Sequence, residues 1–186
     1  TNTITVNVMG RGTNRSLSVE DVEKLVEDNP DYLDQYSPRI NASVAAKYDT
    51  GSVDTTVRGV NEYYDGMQSI AVTNGRFIQY IDSERRQKVC VIGTYLVQEL
   101  FGGMNPVGES IKINGSYYTV VGVLEETADS EESSDDDIIY VPYPTATRLT
   151  GNANISSYYI TAVNTDNIDM TMAIIKNKLY SVFGDE

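Results

Sequence analysis

The chain has 186 residues, of which 40% are hydrophobic and 22% are charged, a composition typical of a folded globular protein. Its formal net charge of −13 at pH 7 argues against nucleic acid and anionic membrane surfaces as partners, because both are recognised through clustered Lys and Arg side chains. The absence of histidine excludes Ser-His-Asp and Cys-His catalysis and removes a common zinc ligand.

The first third of the chain predicts a strand, a helix and a β-hairpin. Residues 3–9 alternate β-branched and polar side chains, which is typical of a half-buried strand. A helix follows, because Ser18 and Asp21 have the spacing of a capping box and an apolar stripe continues to residue 26. The sequence DTGS at 49–52 then predicts a tight turn between two strand-like segments.

The middle of the chain combines a buried strand, an amphipathic helix and a second hairpin. Residues 85–93, RRQKVCVIG, predict a strand in which Cys90, the single cysteine, is a small buried hydrophobic residue. Residues 94–103, TYLVQELFGG, predict a helix that ends at a glycine. Asn114 and Gly115 favour a type I′ turn between two strands of alternating pattern.

Residues 125–137, EETADSEESSDDD, are acidic and cannot bury apolar surface, so we expect them to form a mobile loop. The candidate partner or ligand residues are its acids, Glu125, Glu126, Asp129, Glu131, Glu132, Asp135, Asp136 and Asp137. A strand, a short helix ending at Gly151, another strand and an amphipathic helix over 168–184 follow. No apolar run of about 18 residues is present, so no membrane-spanning helix is predicted.

Residues 57–78, 85–126 and 137–151 carry an ordered series of motifs. In this order the three segments resemble the MacB-type periplasmic core domain of ABC-transporter permeases. The motif positions within them, expected to be structural, are Gly75, Arg76, Phe77, Gly102, Asn105, Pro106, Gly108, Gly122 and Pro142. Pro106 and Gly108 fit a tight turn, and Gly122 fits a β-bulge or a close backbone approach.

The resemblance implies an α+β fold in two parts. Both chain ends, residues 1–72 and 147–186, would form a discontinuous, porter-like α/β subdomain. Residues 73–146 would form an inserted, mostly β subdomain that carries the acidic loop. The domain would lie between the first and second transmembrane helices of a permease, on the extracytoplasmic face of a bacterial plasma membrane.

The function that the resemblance implies is non-catalytic. The domain would couple ATP hydrolysis in the cytoplasm to movement outside the membrane, in export of, or response to, peptides or lipid-linked substrates. The implied partners are the permease transmembrane helices of the parent chain, a second permease subunit in a homo- or heterodimer, and a separate ATPase subunit. A cationic peptide or a lipid-linked molecule is the candidate ligand, and no cofactor, metal or nucleic acid is expected.

The acidic segment supports a second hypothesis, a freestanding surface module for ligand binding or adhesion. Calcium takes oxygen ligands from Asp and Glu side chains, which residues 125–137 supply in number. The segment lacks the EF-hand spacing, however, so a solvated acidic loop is the simpler interpretation.

Overall fold

The structure, a computed structural model, describes residues 2–7, 17–151, 155 and 157–183. Its strands are β1 (Thr3–Asn7), β2 (Leu33–Tyr48), β3 (Gly51–Val60), β4 (Val72–Gly75), β5 (Val89–Ile92), β6 (Ser110–Ile113), β7 (Ser116–Leu124), β8 (Ile139–Pro142) and β9 (Ser157–Ala162). Its helices are α1 (Val19–Asp28), α2 (Tyr64–Met67), α3 (Tyr80–Glu84), α4 (Thr94–Phe101), α5 (Tyr143–Thr150) and α6 (Ile168–Phe183), the last preceded by a 3-10 turn at Thr165–Asn167. This mixture confirms the predicted α+β class.

The chain forms two compact units, one from residues 1–39 with 153–186 and one from residues 40–152. These boundaries differ from the expected subdomain boundaries at 72/73 and 146/147. The reason is long-range strand pairing: β3 pairs with β8, and Ala46 in β2 pairs with Ile113 in β6, so both strands of the first hairpin join the central unit.

The terminal unit contains an antiparallel sheet in the order β1-β9-β2, to which β2 contributes Leu33–Arg39. Residues 8 and 9 of the predicted first strand and Gly184 of the predicted last helix lie outside the described residues. Helix α1 begins as the sequence predicts. The Ser18 hydroxyl accepts from the Asp21 N–H at 3.1 Å, and the Ser18 N–H donates to the Asp21 carboxylate at 3.1 Å, which confirms the capping box.

The central unit is a closed ring of six strands in the order β2-β3-β8-β5-β7-β6. The pairs β3·β8 and β5·β7 are parallel and the others are antiparallel. The ring closes where β6 pairs with β2, and β4 adds to the second half of β7. Fully buried apolar side chains fill this unit, among them Val57, Ile92, Ile111, Ile113, Val120 and Ile139.

Both predicted hairpin turns are confirmed. Tyr48 pairs with Gly51 across the first turn, and Ile113 pairs with Ser116 across the second. Asn114 and Gly115 between the latter pair have φ values of 48° and 85°, and a type I′ turn requires positive φ at both central residues.

Replacing Gly115 with alanine is expected to lower the free energy of unfolding by about 1 kcal/mol. Nothing lies within 4 Å of a Cβ atom added at this glycine, so the cost comes from its positive φ alone. Urea unfolding measures the change. Asparagine tolerates this conformation, so Gly115→Asn is the control and should cost less than Gly115→Ala. Equal losses for the two variants would contradict the explanation.

Candidate functional site

Six of the eight candidate acids in the loop 125–137 are exposed, but Asp136 and Asp137 are buried, with 1% and 9% of their surface exposed. The ligand role of this set stays a prediction, and burial divides its members into two groups. A partner can reach Glu125, Glu126, Asp129, Glu131, Glu132 and Asp135. The two remaining acids instead take part in the internal structure of the loop.

Asp136 is the acceptor around which the loop turns. Its carboxylate accepts hydrogen bonds from the backbone N–H groups of Thr127 at 2.8 Å, Ala128 at 2.7 Å and Ser130 at 2.9 Å, and from the Thr127 hydroxyl at 3.0 Å. Burial alone would raise the pKa of Asp136, but these hydrogen bonds together outweigh it and hold the pKa below its ordinary value. The carboxylate is therefore a structural anion.

Two further contacts tie the loop to the central unit. Asp137 accepts from the Thr55 hydroxyl of β3 at 2.6 Å and from the Ser133 N–H at 2.8 Å. The Ser130 hydroxyl donates to the Thr94 hydroxyl, at the first residue of α4, at 2.8 Å. Loop mobility stays a prediction, but the loop is anchored to β3 and α4, which its polar composition did not indicate.

An open groove of about 760 Å³ lies between this loop and strands β2 and β3. Exposed carboxylates of Asp54, Glu132 and Asp135 line it. The cation in its lining is Arg58, whose guanidinium already donates to the Asn41 side chain at 2.8 Å. The groove is therefore negative, and it suits a cationic group rather than an anionic one.

No group of three or more Asp, Glu or Cys side chains within residues 2–7, 17–151, 155 and 157–183 is arranged to hold a metal ion. The geometry therefore lends no support to a specific calcium site in the loop. Cys90 is fully buried, as predicted, and burial raises the pKa of its thiol. A protonated, inaccessible thiol is a poor nucleophile.

The Gly-Arg-Phe motif marks a close approach between β4 and β7. The Arg76 N–H donates to the Val121 carbonyl at 2.9 Å, and a Cβ atom on Gly122 would lie 2.1 Å from the Arg76 carbonyl oxygen. A Cβ atom on Gly75, where φ is 74°, would lie 2.1 Å from the Val121 oxygen. The pairing of β5 with β7 also shifts register before Gly122. Both expectations for Gly122, a bulge and a close approach, are confirmed.

Arg76 also forms a bidentate ion pair with Asp82. Its Nη1 donates to Oδ2 at 2.7 Å and its Nη2 donates to Oδ1 at 3.1 Å. Asp82 is 2% exposed and accepts from the Gln79 N–H at 2.8 Å, which begins helix α3. Neither α3 nor this ion pair was predicted from the sequence. The spacing of Gln79 and Asp82, which matches a capping box, is the signal that could have found them.

The remaining motif positions shape turns and packing. Gly102 ends α4 with φ of 60°, and the Asn105 side chain accepts from the Val107 N–H at 3.2 Å. The Pro106 carbonyl accepts from the Glu109 N–H at 2.9 Å, and Gly108 has φ of 93°, which confirms the predicted turn. Phe77 packs edge-on against Tyr140 with ring centroids 5.4 Å apart, and Pro142 precedes α5. None of these residues presents reactive chemistry.

The profile of the family described as MacB-like periplasmic core domain matches residues 1–178. A relative from Bdellovibrio bacteriovorus, named macrolide export ATP-binding/permease protein MacB, is 34% identical over 147 residues, 78% of this chain and 22% of the relative. A protein of the same name from Chlorobium luteolum is 31% identical over 131 residues, 70% of this chain and 20% of the relative. The chain thus spans about a fifth of the length of these two relatives.

Two solved structures share the fold. The periplasmic region of MacB from Actinobacillus actinomycetemcomitans has a TM-score of 0.79 at 21% identity and covers 97% of this chain and 85% of that one. The extracellular domain of the ABC-type transporter YknZ, from Gram-positive bacteria, has a TM-score of 0.77 at 22% identity. This match covers 95% of this chain and 94% of the YknZ domain. Among the described helices, none combines the length and the apolar character needed to cross a membrane.

Proposed function

Because the chain belongs to the MacB-like periplasmic core domain family, we propose that it transmits movement for an ABC-transporter permease without catalysing a reaction. Domains of this family lie on the extracytoplasmic side of the membrane, in the periplasm or at the cell surface.

The buried carboxylates support a non-catalytic role, because each of them already bonds another group of the fold. Asp82 neutralises Arg76, Asp136 accepts backbone N–H groups, and Asp137 accepts the Thr55 hydroxyl. A catalytic carboxylate has to face its substrate with a perturbed pKa, whereas these carboxylates already satisfy groups of the fold. The buried carboxylates therefore serve the internal structure of the domain.

The coupling we propose begins at a cytoplasmic ATPase. Its cycle shifts the populations of two arrangements of a permease dimer, and the extracytoplasmic domains move with the transmembrane helices to which they are joined. The names of the relatives, ATP-binding/permease proteins, support this pairing of functions. For the substrate we propose peptides or lipid-linked molecules, and the acidic groove lined by Asp54, Glu132 and Asp135 favours a cationic peptide.

Electron-paramagnetic distance measurements on the intact transporter test the proposal. Met104 is 71% exposed in the central unit, so Met104→Cys offers a spin-label site, while Cys90 is fully buried and should stay unlabelled. Other cysteines of the parent protein are replaced first. In lipid nanodiscs with the ATPase partner, we expect the label-to-label distance across the permease dimer to differ between the nucleotide-free and ATP–vanadate states.

An ATPase variant that cannot bind nucleotide is the control, and it should leave the distance at its nucleotide-free value. Identical distance distributions in the two states would contradict mechanical transmission by this domain. The control also separates movement driven by the ATPase from a direct effect of nucleotide or vanadate on the labelled domain.

A further inference from the structure

A small cavity in the central unit is surrounded by cationic side chains. It measures about 220 Å³ and lies between the loop that joins α3 to β5, the β6–β7 hairpin and helix α5. Arg86 and Lys88 line it from the loop and Arg148 from the helix. Among the residues that the structure describes, no acidic side chain lines this cavity, which we call the basic pocket.

The basic pocket is unusual in a chain with 14 Lys and Arg residues against 27 Asp and Glu residues. The ion pairs within the described part of the chain join Arg76 to Asp82 and Lys178 to Asp21, and none includes a cation of the pocket. All three cations are exposed to solvent, which screens their mutual repulsion, and together they give the cavity a positive potential that attracts anions. The electrostatics therefore indicate an anionic ligand.

The fold holds the pocket-lining loop in place. The buried Thr145 hydroxyl of α5 donates to the Gln87 carbonyl at 2.8 Å, which joins the loop to the helix one turn before Arg148. Arg86 has a left-handed φ of 50°, and its N–H donates to the Ser83 carbonyl at 3.2 Å. These hydrogen bonds hold the loop where Arg86 adopts a backbone conformation that is uncommon for a non-glycine residue.

Neutral donors complete the lining. Asn114, Ser116 and Tyr118 border the cavity, and Tyr118 is buried, with 4% of its surface exposed. The volume lies below the range of about 300–1,000 Å³ that is usual for drug-sized ligands, so the pocket suits one small group.

We propose that the basic pocket binds a phosphate or diphosphate group. A phosphate monoester carries a charge of roughly −1.5 to −2 near neutral pH and three strong acceptor oxygens, which match three cations with neutral donors better than a monoanionic carboxylate does. The group can be free in solution or part of a lipid headgroup. This binding does not depend on the proposed movement of the domain.

Isothermal titration calorimetry of the 186-residue chain with sodium phosphate and with pyrophosphate tests the proposal, using sodium chloride at equal ionic strength as the blank. We expect saturable binding that Arg148→Gln or Arg86→Gln weakens about tenfold, because a lost hydrogen bond to a charged group costs at least that factor. Arg85→Gln is the matched control. Arg85 is an exposed neighbour that does not line the pocket, so its removal should change the affinity less than about twofold.

Vesicle co-sedimentation identifies the source of the phosphate. Binding to phosphatidylcholine vesicles that contain phosphatidic acid, absent with phosphatidylcholine alone and lost in Arg148→Gln, assigns the pocket to a lipid phosphate. Saturable binding of free phosphate without vesicle binding assigns it to a soluble one. The proposal is overturned if neither phosphate nor pyrophosphate binds saturably, or if Arg85→Gln weakens binding as much as Arg148→Gln. Circular dichroism and unchanged urea midpoints show that the variants remain folded.

Discussion

Replacing Asp136 with asparagine is expected to lower the free energy of unfolding by about 3 kcal/mol. One carboxylate oxygen accepts from the Thr127 N–H and hydroxyl, and the other accepts from the N–H groups of Ala128 and Ser130. In either rotamer of the asparagine side chain, its NH2 group would replace one of these two oxygens. It would then face N–H donors, with which it cannot form a hydrogen bond. Each buried donor left without an acceptor costs about 1–3 kcal/mol.

Urea unfolding of the isolated chain measures this loss, with Asp135→Asn as the matched control. Asp135 is the exposed neighbour in the same loop, so its replacement should stay within about 0.5 kcal/mol of the parent chain. Equal, small losses for the two variants would show that Asp136 does not organise the loop.

The lowered pKa of Asp136 also predicts that the free energy of unfolding depends on pH. The pKa of Asp136 is lowered in the folded chain, so its contribution to stability is complete above the ordinary aspartate pKa and is lost as the pH falls through the lowered value. The stability difference between the parent chain and Asp136→Asn should therefore shrink as the pH drops from neutral through the acid range. A difference that is constant with pH would mean that the charge of Asp136 makes no contribution.

Replacing Gly122 with alanine is also expected to destabilise the chain by about 3 kcal/mol, the upper end of the usual cost of overpacking. The added Cβ atom would lie 2.1 Å from the Arg76 carbonyl oxygen and 3.0 Å from its carbonyl carbon. Both are backbone atoms, so no side-chain rotation relieves the contact and β4 has to move away from β7. That movement also displaces Arg76 from Asp82, which is buried and would lose its counter-charge.

Gly66→Ala provides the control for this prediction, which thermal unfolding followed by circular dichroism can test. Gly66 lies in helix α2 with nothing within 4 Å of an added Cβ atom, so alanine there should be neutral or raise stability by up to about 1 kcal/mol. A similar Tm for the two variants would contradict the close approach between Arg76 and Gly122.

Features that depend on residues close together in the chain were predictable from the amino-acid sequence. The capping box of Ser18 and Asp21 and the turn at Asn114 and Gly115 were predicted and are confirmed. Either Gly102 or Gly103 was predicted to end α4, and the structure places the end at Gly102. Each rests on backbone geometry and hydrogen bonds within about four residues, which local side-chain chemistry is sufficient to set. The ordered motifs also indicated the family, which the profile match over residues 1–178 establishes.

The three-dimensional fold determines which charges are buried and which charged groups come into contact. Composition predicted a solvated acidic loop, but left-handed residues at 129 and 130 help direct N–H groups towards Asp136, and Thr55 reaches Asp137 from 82 residues away in the chain. Arg86 and Arg148 come together because β5 and α5 belong to one closed unit. The free energy of a buried or clustered charge depends on partners that chain folding brings close, and no local pattern encodes them.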